Sequence, residues 1–284
     1  MSSRIEQFGW PHAEAGVGRV VSAHGDYYHL VCDEAPGEIL ARKKKSAFRG
    51  ADIVTPLTGD FVRLRYNAQG ESLITDVLPR SSWFVRRDPT ARRKAQTLAV
   101  NFDTLFIMMS LNENLSCARL ERYLTLAEDI GRADVAVVLT KADLLTASGA
   151  QAAERLAEVR EQLRTRGEPS PALLVISAKT GEGMEAVRAR AQPGRTLAFI
   201  GSSGVGKSTL LNALAGEEWM ATQDIQEWSG KGRHTTTSRE LVMLPNGAMI
   251  IDTPGIREIG RVGEEESVLA KGVSSHRWRA KEGL

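Results

Sequence analysis

The stretch Gly201-Ser202-Ser203-Gly204-Val205-Gly206-Lys207-Ser208-Thr209 has the residue types and spacing of a phosphate-binding loop, G-x-x-x-x-G-K-[ST]. Glycines at these positions let successive backbone N–H groups turn toward an anion, and a helix N-terminus behind them adds partial positive charge. Lys207 has the reach to meet β- and γ-phosphates, and the Ser208 hydroxyl is placed to ligate Mg²⁺. The flanks suit this chemistry. Residues 195–200 read as a short apolar strand, and 210–215 have helix-forming composition ending on Gly216, a natural C-cap.

A phosphate cradle alone does not choose the base, and three further stretches bear on it. Thr140-Lys141-Ala142-Asp143 follows an apolar strand at 135–139 and resembles the guanine-reading N-K-x-D motif. A carboxylate there accepts two hydrogen bonds, from the ring N–H and the amino group of guanine, which adenine cannot supply as a pair. Thr140 stands where Asn is commoner, keeping a hydroxyl but losing an amide donor. Ser177-Ala178-Lys179 follows the strand at 172–176 as an S-A-K motif, which supports the guanine carbonyl through a backbone N–H. Asp252-Thr253-Pro254-Gly255 ends the strand that begins at Ala248 and reads as D-x-x-G. Its Asp would hold Mg²⁺ through water, and the Gly255 N–H would meet the γ-phosphate. Both base-reading stretches fall at carboxyl ends of successive strands, where ligands of doubly wound sheets bind.

These elements sit in a recognisable order of domains. Residues 1–17 lack periodicity and read as a loose arm. From 18 to 80, five short strands (19–23, 27–32, 38–42, 60–66 and 72–78) separated by turn signals suit a small Greek-key barrel of the OB type. Tyr27, Tyr28, Phe61, Tyr66 and, just beyond the barrel, Trp83 are the available aromatics, of which one or two could stack on a base. Residues 81–97 read as a basic linker. From 98 to 260, strands alternate with helices: 103–110 is a near-continuous apolar run, and Ser116 caps a helix presenting Leu120, Tyr123, Leu124, Ala127 and Ile130. Helices are expected at 149–166 and 183–191. This half is an α/β doubly wound parallel sheet, and 261–284 is a short divergent tail.

Charge and composition narrow the partners. The 284 residues carry a net charge of +2, with 42% hydrophobic and 25% charged residues, the balance of a soluble globular chain. Residues 1–95 hold 15 Lys/Arg against 11 Asp/Glu, clustered at Arg42-Lys43-Lys44-Lys45 with Arg49 and at Arg86, Arg87, Arg92, Arg93 and Lys94. Two such clusters flanking a small β-barrel suit a polyanion. No apolar run is long enough to span a membrane and no signal-peptide core opens the chain, so a cytoplasmic location with no membrane partner is expected. Two cysteines, Cys32 and Cys117, cannot build a disulfide framework or a Cys-rich zinc site.

Ordinary GTPases run phosphate loop, switch I, DxxG, NKxD, SAK. Here TKAD and SAK come first, a circular permutation for which Gln192-Pro193-Gly194 supplies the short link. With the barrel in front, the arrangement closely resembles the ribosome-small-subunit-dependent GTPase family (RsgA, also called YjeQ). The match rests on Thr140–Asp143, Ser177–Lys179, Gly201–Thr209, Asp252–Gly255, the switch I stretch Gly232-Arg233-His234-Thr235-Thr236-Thr237, and Pro56-Leu57-Thr58-Gly59-Asp60 in the barrel. The resemblance implies a GTP/GDP- and Mg²⁺-binding factor of late small-subunit maturation. Its partners would be the 30S subunit and 16S rRNA, its GTPase weak alone and ribosome-stimulated, its state monomeric. Thr235 or Thr236 would reach Mg²⁺ beside Ser208 and Asp252. Ile256 replaces the water-orienting glutamine of many GTPases, which makes His234 the candidate catalytic group with Lys207. Gly204 stands where potassium-activated GTPases carry Asn, so no potassium requirement is expected. The family's C-terminal zinc domain has no counterpart in the 29 residues after Gly255, so zinc is not expected in this chain. Two other readings stay open: a nucleotide-regulated RNA-binding module with negligible hydrolysis, and an ATPase.

Overall fold

The computed structural model describes residues 2–48, 54–86, 96–112, 115–147, 150–167, 169–216 and 240–251. Five strands close a barrel in the order β1-β2-β3-β5-β4: β1 (Val17–His24), β2 (Tyr27–Cys32), β3 (Ile39–Lys43), β4 (Phe61–Arg65) and β5 (Ser72–Val77). β3 and β5 pair parallel while the other pairs are antiparallel, the OB-type Greek key expected from the turn spacing. Alternation sends Val20, Tyr28, Leu30, Ala41, Val62, Leu64 and Ile74 into the barrel core. Cys32 lies among them fully buried, and burial pushes its thiol up to about 11, which favours the neutral thiol at neutral pH.

The second layer is a six-stranded sheet in the order β10-β9-β8-β11-β13-β12. Its strands are β8 (Thr104–Ser110), β9 (Asp134–Thr140), β10 (Ala172–Val175), β11 (Thr196–Gly201), β12 (Leu241–Met243) and β13 (Met249–Ile251). All neighbours pair parallel except the edge strand β12, which runs antiparallel to β13, so the sheet is mixed rather than wholly parallel. Every residue of β8 is buried because both faces are covered. Leu105, Ile107 and Met109 face one core with Leu120 and Tyr123 of α2 (Cys117–Leu126) and Leu156 and Val159 of α4 (Ala150–Arg166). Phe106 and Met108 face the other, with Met184 and Val187 of α5 (Met184–Arg188) and Leu210, Leu211 and Leu214 of α6 (Lys207–Ala215). Helices thus lie on both faces, the doubly wound arrangement. A single turn, α3 (Leu144–Ala147), precedes α4.

Two sequence expectations are corrected. The arm is not loose: Ser3 and Glu6 form a capping box for a helical turn, α1 (Arg4–Gln7), that buries Ile5 completely. The basic linker is in part a hairpin: β6 (Trp83–Arg86) pairs antiparallel with β7 (Gln96–Val100), and Phe84 and Leu98 join the sheet core. The charges at 87–95 interrupt the sequence pattern, and these residues lie outside the described ones.

Buried charge joins barrel to sheet. Asp60, fully buried, takes paired hydrogen bonds from Arg80 at 2.8 and 2.7 Å and one from the Leu57 N–H at 2.8 Å. Burial pushes the Asp60 carboxyl up, against the opposing pull of Arg80. Asn101, in a left-handed conformation at φ 51°, spans the junction: its Nδ2 donates to Gly59 O at 3.2 Å and its Oδ1 accepts from Ser81 N at 2.9 Å. Replacing Arg80 by Met strands a buried carboxylate and is expected to cost about 3–5 kcal/mol in urea unfolding. By contrast, the Tyr123 hydroxyl is buried without a hydrogen-bond partner. Tyr123→Phe is therefore expected to raise stability by about 1 kcal/mol on the same measurement, and a loss would contradict this placement.

Candidate nucleotide-binding site

Parallel pairing puts the carboxyl ends of β9, β10, β11 and β13 on one edge of the sheet. β11 ends at Gly201 and the chain turns through Ser202–Gly206 into α6. Gly201 has no room for a side chain, since a Cβ there would lie 2.8 Å from Met108 O. Gly204 and Gly206 sit at φ 75° and 95°, a region L-side chains avoid. Gly206 is the N-cap of α6 and supplies no side-chain cap, so the loop is built to present its first-turn N–H groups to an external acceptor. Val205 anchors the loop by burying its side chain in the core shared with Leu210. Loop and strand ends enclose a cavity of about 430 Å³, lined by Gly201–Thr209 with Lys141, Met108 and Phe199.

The stretch after β9 is bound into the same edge. Thr140 is buried, and its Oγ1 lies 2.6 Å from Val205 O of the phosphate loop and 3.2 Å from Met109 O. Its hydroxyl therefore ties the base-side stretch to the phosphate cradle across 65 residues of sequence. The hydroxyl that Thr140 keeps in place of an Asn amide is thus the group that bonds the loop. Lys141 takes a left-handed backbone at φ 63°, a strained placement for a non-glycine residue, and its side chain lines the cavity. Asp143, half-buried, accepts from Ser177 Oγ at 2.7 Å through Oδ1. The Ala142 N–H donates to Ile176 O, so backbone as well as side chains lock this stretch to the one after β10. Ser177 N–H is committed to Glu182 O, which makes Ala178 and Lys179 the next donors along the loop.

The structure thus brings together Thr140, Lys141, Ala142 and Asp143, then Ser177, Ala178 and Lys179, and the whole loop from Gly201 to Thr209. His234, Thr235, Thr236, Asp252 and Gly255 lie outside the described residues. β13 ends at Ile251 on the shared edge, one residue before Asp252. Met108 and Phe199 were not singled out beforehand. They are apolar residues of continuously buried strands, and nothing in their type or spacing marks them. Among the described residues no group of three or more His, Cys, Asp or Glu could hold a metal ion. No helix among them is long and apolar enough to cross a membrane.

A strand, a glycine loop and a helix, tied to a carboxylate-bearing stretch at one edge of a doubly wound sheet, define a phosphate-loop nucleotide-binding protein. The sequence order of those parts is permuted relative to an ordinary GTPase. The family model for the RsgA GTPase matches residues 77–262, and the chain belongs to that family. It is 40% identical over 245 residues to the small ribosomal subunit biogenesis GTPase RsgA 2 of Lactiplantibacillus plantarum, covering 86% of this chain and 66% of that protein. Against the Listeria monocytogenes serotype 4b protein of the same name it is 39% identical over 265 residues, covering 90% and 71%. The chain thus spans about two thirds of the length of the relatives it matches. In fold it resembles YjeQ from Thermotoga maritima, with a TM-score of 0.61 and 24% identity over 86% of this chain and 76% of that one. It also resembles YloQ, described as a circularly permuted GTPase, with a TM-score of 0.56 and 20% identity over 87% and 74%.

Removing only the Thr140 hydroxyl tests the tie. Thr140→Val leaves the Val205 carbonyl unpaired and is expected to weaken guanine-nucleotide binding about tenfold by calorimetric titration, whereas Thr140→Ser stays within about twofold.

Proposed function

We propose that this chain binds and hydrolyses GTP as a factor of late small-subunit maturation, contacting 16S rRNA in the 30S subunit through the barrel. One observation carries the reading: the phosphate loop and the Asp143–Ser177 pair converge on one sheet edge, joined by the Thr140–Val205 hydrogen bond. In this reading Asp143 accepts the ring N–H and amino group of guanine. The Lys141 stem lies along the base, and the Ala178 or Lys179 N–H supports the guanine carbonyl. The N–H groups from Ser202 to Thr209 surround the α- and β-phosphates, and Lys207 neutralises charge on the β- and γ-phosphates. In this reading the Ser208 hydroxyl, exposed in the first turn of α6, would hold Mg²⁺, with Asp252 and Thr235 or Thr236 as the further ligands. That ion would supply charge neutralisation at the phosphates. Gly255 senses the γ-phosphate, and His234 orients the attacking water. The names of the relatives, small ribosomal subunit biogenesis GTPases, support both the activity and the partner.

The barrel offers a surface suited to RNA. Tyr27 and Leu40 are the large hydrophobic side chains left exposed among the described residues, at 44% and 38%. Strand register puts Tyr27 opposite Arg42 and His29 opposite Leu40, with His24 opposite Tyr27 on the next strand, so these side chains share the outward face. Tyr28 and Phe61 are buried and Tyr66 and Trp83 half-buried, so Tyr27 is the most exposed ring of the five for base stacking, beside the Arg42 guanidinium, 6.0 Å from its centroid. The chain acts as a monomer in the cytoplasm in this account.

Asp143→Ala is expected to weaken GDP binding by about two orders of magnitude and to bring the GDP and ADP affinities together. An ADP affinity equal to that of GDP in the unaltered chain would instead favour an ATPase. Steady-state phosphate release with and without 30S subunits tests turnover: stimulation by the subunit supports the maturation role. Negligible release in both conditions points to a nucleotide-regulated RNA-binding module. If His234→Ala leaves stimulated turnover unchanged, the water-orienting role belongs elsewhere.

A further inference from the structure

Contacts between barrel and sheet converge on β12 and β13. Barrel strand β1 forms an antiparallel bridge from Ser22 to Glu240, the residue before β12. Arg19, on the same strand and 1% exposed, extends its guanidinium to Met249 Sδ on β13 at 3.5 Å. It is held there by Asn101 O at 2.8 Å, by Phe8 O and by the Phe61 ring face, 4.7 Å from the centroid. The turn 57–60 presents Gly59 at φ +95°, where a Cβ would lie 2.6 Å from Val100 O and 2.9 Å from Cδ1 of Ile251. Backbone of the barrel therefore abuts the last residue of β13 with no space for a single methyl group.

β11, which launches the phosphate loop, pairs with β8 from Leu197 to Gly201 and, among the described residues, with β13 from Thr196 to Ala198. β11 is held on the β8 side along its length up to Gly201, and β8 in turn pairs with β9 and β9 with β10. β13 has the antiparallel edge strand β12 as its other neighbour and the barrel against its end. The residue after Ile251 opens the D-x-x-G sequence, which the reading above assigns to the terminal phosphate.

We propose that Gly59 and Arg19 are positioning residues for the nucleotide site, acting through Ile251 and Met249 to set the end of β13 and hence the preference for triphosphate over diphosphate. The barrel is then part of the γ-phosphate-sensing apparatus as well as an RNA-binding module. By reciprocity, whatever occupies the barrel and moves this junction changes that preference by the same factor that nucleotide changes the barrel's affinity. The inference rests on the guanine-nucleotide reading of the site.

The test is a titration of the full chain with GDP and with a non-hydrolysable GTP analogue in Mg²⁺. Two variants are compared: Gly59→Ala, which adds the excluded methyl, and Ile251→Val, which deletes the Cδ1 that Gly59 faces and is a change cores tolerate. Each is expected to leave GDP affinity within about twofold while weakening the analogue by roughly fivefold or more. A purely structural role for the junction would lower both affinities together. Equal shifts for both nucleotides, or no shift in either, overturn the proposal. Should Gly59→Ala fail to fold, Ile251→Val decides alone. If the unaltered chain binds neither nucleotide, the functional reading falls and takes this one with it. Normal binding with an unchanged ratio sinks only the positioning role.

Discussion

Parallel pairing of β9, β8, β11 and β13 is the constraint on which the rest depends. A parallel strand cannot return by a tight turn, so each connection must cross a face of the sheet, and helices come to cover both faces. The same constraint delivers every strand's carboxyl end to one edge. Residues far apart in the chain become neighbours there without any local sequence relation between them. The permuted order is tolerated for this reason: the edge is defined by strand direction, not by the sequence in which strands are made. The turn at Gln192–Gly194, bonded to Gly247 by a Gly194 N–H at 2.9 Å, closes the link that the permutation requires.

Within that edge, polar contacts do what packing cannot. Apolar burial fixes the sheet and its helices but leaves loop conformations open. The Thr140 hydroxyl, the Asp143–Ser177 bond and the Ala142 N–H to Ile176 O select one arrangement of the loops, each in a partly or fully buried setting where losing the partner is costly. The strained backbone at Lys141 is tolerated because these bonds surround it. On the barrel side the same economy recurs: Asn101 and Arg19 are buried polar groups whose partners lie across the junction, and Arg80 holds the Asp60 carboxylate that Asn101 reaches, so they fix orientation where an apolar contact would permit sliding.

Much of the fold and the candidate site was legible because its signals are local. The glycines of 201–206 announce backbone conformations that only glycine adopts cheaply, and Ser116 announced α2 by its capping chemistry, its side chain accepting from Arg119 N. Barrel strands followed from alternation between turn residues. What escaped had other causes. The Ser3-x-x-Glu6 capping box was a readable signal that the absence of longer periodicity obscured. β6 and β7 flank a run of charges that reads as linker, and β12 is three residues long, too short for any period to register. The partner of the Thr140 hydroxyl could not be read at all, since it is a backbone carbonyl whose identity depends on the finished sheet. Asn101 escaped for the same reason: its role is spatial, between a barrel turn and the chain at Ser81.

The strand order has a consequence for synthesis. β8 is apolar from Leu105 to Met109 and fully covered in the finished sheet, yet β11, which pairs along one of its edges, is translated about 90 residues later. At roughly 5–20 residues per second, the nascent chain carries that uncapped hydrophobic ribbon for several seconds before its partner emerges. An ordinary GTPase makes its phosphate-loop strand first and has it waiting when the later strands arrive. The permuted chain reverses this, and the edge of β8 that β11 will take stays open while α2, β9, α4, β10 and α5 emerge.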